Sequence, residues 1–82
     1  MSIPADAVIV KLFAGLEAST PDRRSEYHLA PPEAPTVGAL LERLGLQPGV
    51  AGLILVNGVH ARDGQELDAG DEVSLFPPLG GG

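Results

Sequence analysis

The stretch "TVGALLERLG", Thr36 to Gly45, carries the clearest helix signal in the chain. Val37, Leu40, Leu41 and Leu44 fall at i, i+3, i+4 and i+7, so one stripe of a helix here is apolar and needs a core to lie on. Thr36 stands where an N-cap hydroxyl would bond a free amide of the first turn. Gly45 occupies the position after the last turn that favours a left-handed backbone. Leu46 follows for the apolar contact that closes such an end, and Pro48 blocks continuation. Gly38 weakens the helix by about 1 kcal/mol relative to Ala, which implies close packing at that point or a marginal first turn.

What the helix packs on is written on either side of it. "AVIVKLFAG" (Ala7 to Gly15) is rich in β-branched residues and reads as a strand. Val8, Val10 and Leu12 take one face and Ile9, Lys11 and Phe13 the other, so this strand is expected to be central or part-covered. "EASTPDRRS" (Glu17 to Ser25) is a charged connection. "EYHLAP" then gives a short second strand, with Tyr27 and Leu29 on one face, paired antiparallel with the first. "PPEAPT" breaks the chain before the helix. Beyond it, "GLILVNGVH" (Gly52 to His60) is a near-continuous apolar run, as expected of a strand covered on both faces or at the sheet centre. Asn57-Gly58 predicts a tight hairpin turn. "DGQELDAGDEVSLF" supplies two more turns and a last strand, with Val73 and Leu75 facing away from Ser74 and Phe76. Pro77 and Pro78 cannot donate ladder hydrogen bonds, so pairing is expected to stop there.

The order strand, strand, helix, strand, short strand, strand predicts an α+β fold. A mixed sheet of four to five strands with one main helix across it is the β-grasp arrangement. Residues 1–79 form the single expected domain and residues 80–82 a glycine tail.

With 82 residues the chain suffices for one domain, burying roughly 60–65% of its unfolded surface. Eleven acidic residues against five basic ones give a net charge of −6. That argues against nucleic acid as a partner and fits docking on a basic protein surface. There is no cysteine, which excludes disulfides, thiolate metal sites and cysteine nucleophiles and points to the cytoplasm. The start "MSIPADAVIV" is not a signal peptide, and no apolar run is long enough to cross a membrane. Lys11 is the only lysine.

Catalytic side chains are not evident. His28 and His60 lack metal-ligand spacing from each other or from paired acids. Asp63, Glu66, Asp68, Asp71 and Glu72 lack the spacing of a calcium loop and read as turn-forming acids or a docking edge. No glycine pattern makes a phosphate loop, and Ser2, Ser19, Ser25 and Ser74 have no base near in sequence. No metal site and no bound cofactor is expected.

The end of the chain, "VSLFPPLGGG" (Val73 to Gly82), is different. Three glycines have no Cβ and can lie extended in a channel too narrow for other residues. The prolines stiffen the base. This is either a frayed end or a carboxylate carried on a thin arm into another protein's active site. Phe76 and Leu79, beside the tail, are candidate apolar anchors for that partner, with Phe76 equally open to core packing.

Taken together, "VIVKLFAGL", "PTVGALLERLGL", "LILVNG" and "DAGDEVSLFPPLGGG" resemble the MoaD/ThiS family of ubiquitin-like sulfur carriers over nearly the whole chain. "LFA" and "FPP" look more like MoaD, the small subunit of molybdopterin synthase, than the thiamin-pathway carrier. The resemblance implies a ubiquitin-like fold and a set of partners. An E1-like activating enzyme of the MoeB/ThiF type would use ATP to adenylate the Gly82 carboxylate. A sulfur donor system would convert it to a thiocarboxylate. A MoaE-type large subunit would then receive Gly80, Gly81 and Gly82 in its active site, passing sulfur to a pterin precursor of the molybdenum or tungsten cofactor. The alternatives are a protein modifier joined through Gly82 to lysines, a carrier for thiamin synthesis or tRNA thiolation, and a scaffold whose glycines are incidental. The chain departs from the family pattern in its third glycine and across residues 19–35.

Overall fold

The computed structural model describes residues 6–47 and 49–78. Five strands and one α-helix follow the order β1 (Val8–Leu12), β2 (Glu26–Leu29), α1 (Val37–Arg43), β3 (Leu53–Val56), β4 (Val59–His60) and β5 (Glu72–Phe76). The sheet order is β2-β1-β5-β3-β4. β1 pairs antiparallel with β2 and parallel with β5, in a register that sets Val10 against Tyr27 on one side and Val73 on the other. β5 also pairs antiparallel with β3, Ile54 against Leu75. This mixed five-stranded sheet with one helix is the ubiquitin-like β-grasp expected from the element order.

The helix boundaries follow from local chemistry. Thr36 is extended, and its Oγ1 accepts from the Ala39 N–H at 3.1 Å. The two preceding first-turn amides are bonded by a loop: Val37 N–H donates to the Gln65 carbonyl and Gly38 N–H to that of Asp63. A Cβ on Gly38 would lie 3.2 Å from the Asp63 carbonyl oxygen, so close packing explains this glycine. At the other end Gly45 is left-handed (φ 75°). Its N–H donates to Glu42 and that of Leu46 to Leu41, the paired bonds of a Schellman end. Pro48, expected to stop the helix, lies outside the described residues.

Val37, Leu40, Leu41 and Leu44 are all buried, and they meet Val8, Val10, Leu12, Ile54, Val56, Val73 and Leu75 from the inner face of the sheet. Asn57 (φ 52°) and Gly58 (φ 82°) turn the two-residue hairpin between β3 and β4 as their dipeptide predicts.

Three expectations need correction. β3 is neither central nor covered on both faces: β5 holds the centre, and Leu53 and Leu55 are only half-buried while Ile54 and Val56 are buried. Its apolar run reflects an apolar outer face rather than a second covering layer. β1 stops at Leu12, because Ala14 (φ 56°) and Gly15 (φ 87°) both turn left-handed. The connection after it is not merely polar. Leu16 opens a short 3-10 turn and is buried, as is Thr20, whose Oγ1 accepts from the Tyr27 hydroxyl at 2.8 Å and donates to the Glu17 carbonyl.

Leu40→Ala should cost about 2–5 kcal/mol in urea unfolding, since Leu40 has no exposed surface. Thr36→Ala should cost about 1 kcal/mol through its lost cap. A Leu40→Ala loss no larger than that of Thr36→Ala would contradict the helix-on-sheet core.

Candidate functional site at the end of the last strand

β5 is the strand that leads to the C-terminus, and it is held from both sides up to its last residue. Phe13 N–H donates to the Leu75 carbonyl at 2.9 Å and Gly52 N–H to the Phe76 carbonyl at 2.8 Å. Pro77 and Pro78 follow without N–H groups, so the ladder has no donor with which to continue. Pro77 is half-buried and Pro78 exposed. The two prolines border a shallow groove lined also by Ala14, Leu16, Ser19 and Val50. Leu79, Gly80, Gly81 and Gly82, four of the five residues assigned to the site by sequence, lie outside the described residues.

The fifth, Phe76, is on the outer face of the sheet, away from α1. It is half-buried and absent from the core cluster. Its ring stacks on that of Phe13, with centroids 4.7 Å apart and planes at 12°. The stack continues across the register, since Leu53 pairs with Phe76, and Leu55 is half-buried on the same face, with Ile9 at its far end. Phe13 is 39% exposed. The end of β5 therefore carries an aromatic and aliphatic surface beside the root of the tail. Phe13 was not singled out from sequence as a site residue. Its place opposite Lys11's neighbours on the strand was legible, but its stacking partner comes from a strand 63 residues later in number, Phe76 against Phe13.

Charge borders this surface. Lys11 Nζ lies 3.1 Å from Glu72 Oε2, both about two-fifths exposed, and His28 Nε2 lies 2.7 Å from Glu26 Oε2. The acidic run after β4 is chiefly structural at Asp71. Its Oδ1 accepts from Asn57 Nδ2 at 2.9 Å and its Oδ2 from the Asp68 N–H at 2.8 Å, while Asn57 Oδ1 accepts from the Glu72 N–H. This network ties the β3–β4 hairpin to the start of β5. His60 is exposed on β4. Among the described residues no cluster of three or more His, Asp or Glu side chains is arranged to hold a metal ion. No described helix is long and apolar enough to cross a membrane.

A mixed five-stranded sheet in the order β2-β1-β5-β3-β4 with one helix across it, the β-grasp, defines the ubiquitin-like class. Within it, the chain belongs to the ThiS family, matching the family's sequence profile over residues 10–82; this is a family of ubiquitin-like sulfur carriers and modifiers. The chain is similar to the crystal structure of SAMP1 from Haloferax volcanii, at 31% identity over 93% of this chain and 99% of that one, with a TM-score of 0.68. A crystal structure of H. volcanii small archaeal modifier protein 1 is 27% identical over 89% of this chain and 98% of that one, with a TM-score of 0.65. The solution structure of Urm1 from Trypanosoma brucei shares the fold, with a TM-score of 0.72 over the whole of both chains at 23% identity. No curated protein gives a significant match.

Asp71→Ala should lower stability by about 1 kcal/mol or more, because it unmakes two hydrogen bonds to a carboxylate. Lys11→Ala, which removes an exposed ion pair, should change it by less than about 1 kcal/mol. Paired urea titrations check the order. Equal effects would place the acidic run outside the turn's framework.

Proposed function

We propose that the chain is a sulfur carrier whose terminal Gly82 carries the reacting group, and that it serves as the small subunit of a molybdopterin synthase. The observation that carries this reading is the last strand. It sits at the centre of the sheet, is bonded on both sides to Phe76, and passes through two prolines to "LGGG". A folded body thus leads into a run of residues without side chains that ends in the Gly82 carboxylate. Membership of the ThiS family supports the chemistry.

A carboxylate resists nucleophilic attack, so it must first be activated. An E1-like enzyme of the MoeB/ThiF type binds the tail with ATP. A Gly82 carboxylate oxygen attacks the α-phosphorus, and pyrophosphate leaves. Sulfur from a donor system then attacks the acyl carbon, AMP leaves, and a thiocarboxylate remains. Gly80 and Gly81 give the thin approach into the active site of a MoaE-type large subunit, where the sulfur is passed to a pterin precursor. The domain holds no cofactor of its own in this scheme; ATP belongs to the activating step, in the cytoplasm. The Phe13–Phe76 face, with Leu79, is the docking surface for both partners. Side chains of the fold position and recognise, and the covalent chemistry stays on the terminal carboxylate.

A second reading, protein modifier, is favoured by the similarity to a small archaeal modifier protein. The activated acyl group would then be captured by a target lysine. Because Lys11 is the only lysine, chains could extend only through it or the N-terminus.

Intact-protein mass spectrometry of the chain from cells holding its own activating enzyme separates the readings. One oxygen replaced by sulfur, localised to Gly82 by fragment ions, is the expected result, and deletion of Gly81 and Gly82 should abolish it. An unmodified carboxylate beside active enzyme and ATP would overturn the carrier assignment. Heavier covalent adducts instead would establish the modifier.

A further inference from the structure

We propose that Gly52 is a positioning residue for the reacting tail, fixing the direction in which the chain leaves the sheet at Pro78. The inference rests on the reading of Gly82 as the reacting group, but its structural half stands independently of that reading. Gly52 precedes β3 and makes two distinct contacts with the root of the tail. Its N–H donates to the Phe76 carbonyl at 2.8 Å, the last bond on that side of β5. Its Cα faces the backbone of Pro78 with no room between them. A Cβ placed on Gly52 would overlap Pro78 Cα and stand 2.8 Å from Pro78 N and 3.1 Å from Pro78 Cβ.

The obstacle would be main chain, not the end of a flexible side chain, so it cannot be relieved by a rotamer change. Gly52 is not in the left-handed region, so its φ does not demand glycine. The reason the structure offers for a glycine here is the close approach of Pro78, in keeping with glycine marking sites of backbone contact in strands.

Proline rigidity makes this approach directional. With φ fixed at both Pro77 and Pro78, the path of the chain from Phe76 to Pro78 is set by how Pro78 seats against Gly52. Moving that seat swings the start of the arm relative to the Phe13–Phe76 face. A partner that binds the face and receives the carboxylate at the same time reads both, and a displacement near 1 Å can cost on the order of a hundredfold in rate.

The test uses Gly52→Ala in the full chain, with Gly64→Ala as the matched control. A Cβ on Gly64 meets nothing within 4 Å, and its φ is ordinary. Two readouts are taken. Amide hydrogen exchange at position 52 reports the seat alone and should be faster in Gly52→Ala by about tenfold or more, with exchange in α1 and β1 unchanged. Adenylation by the cognate activating enzyme, followed as pyrophosphate release, should show kcat lowered roughly ten- to a hundredfold with KM within about twofold of the wild type, since the side chains of the docking face are unchanged. Pro78→Gly, which frees the same root without a clash and without burdening the core, should lower kcat in the same sense and serves if Gly52→Ala does not fold.

Wild-type rates in Gly52→Ala with a protected amide at position 52 would overturn the proposal, as would a rise in KM at constant kcat. Absence of adenylation in the wild type, with active enzyme, would instead overturn the reading of Gly82. The amide measurement would then still decide whether Gly52 seats the root.

Discussion

Everything in this molecule depends on the parallel ladder between the first strand and the last. β5 is inserted between β1 and β3, and its inward residues Val73 and Leu75 have no exposed surface. Remove that strand and the sheet falls into two unconnected hairpins, β1–β2 and β3–β4, with α1 left no continuous surface to cover. The same strand is the one that leads out to the tail. The element that completes the core is therefore also the one that carries the chain out to Pro77 and Pro78. Stability and presentation are not separable properties of this fold.

The two faces of the sheet divide the labour. The inner face meets the helix stripe and excludes water. The outer face carries Phe13, Phe76, Leu53, Leu55 and Ile9 among Lys11, Glu26, His28 and Glu72. Apolar side chains are common on protein surfaces, but here an aromatic stack stands beside the exit of the tail. Turn geometry supplies the rest: Asn57 and Asp71 brace the hairpin against the start of β5, and Gly52 meets its end.

How much of this could be read beforehand follows the range of the interactions concerned. The helix was legible down to its caps because Thr36, Gly45 and Leu46 act within a few residues of the ends they close. The Asn57-Gly58 turn was legible for the same reason. Strand order within the sheet was harder to place. Leu53 and Leu55 make β3 look buried on both faces, and only the pairing partners reveal that their side is the outer, half-exposed one. The buried Thr20–Tyr27 hydroxyl pair was hidden in a segment that reads as a polar loop, since each residue satisfies the other from seven positions away. Phe13 and Gly52 escaped notice because each matters through a residue far along the chain. The glycine run is a signal of a different kind, because it is the absence of side chains that marks it in the sequence.

The parallel pairing of β1 with β5 also has a consequence for how the protein comes into being. On the ribosome, β1 emerges first but stays without its principal neighbour until residues 72–76 have been made and released. Val8, Val10 and Leu12 must wait, uncovered on one flank, until β5 has been made. Closure of the sheet and placement of the exit at Pro77 and Pro78 thus become a single event. A chain terminated before β5 lacks both, so it is unfolded and open to proteolysis.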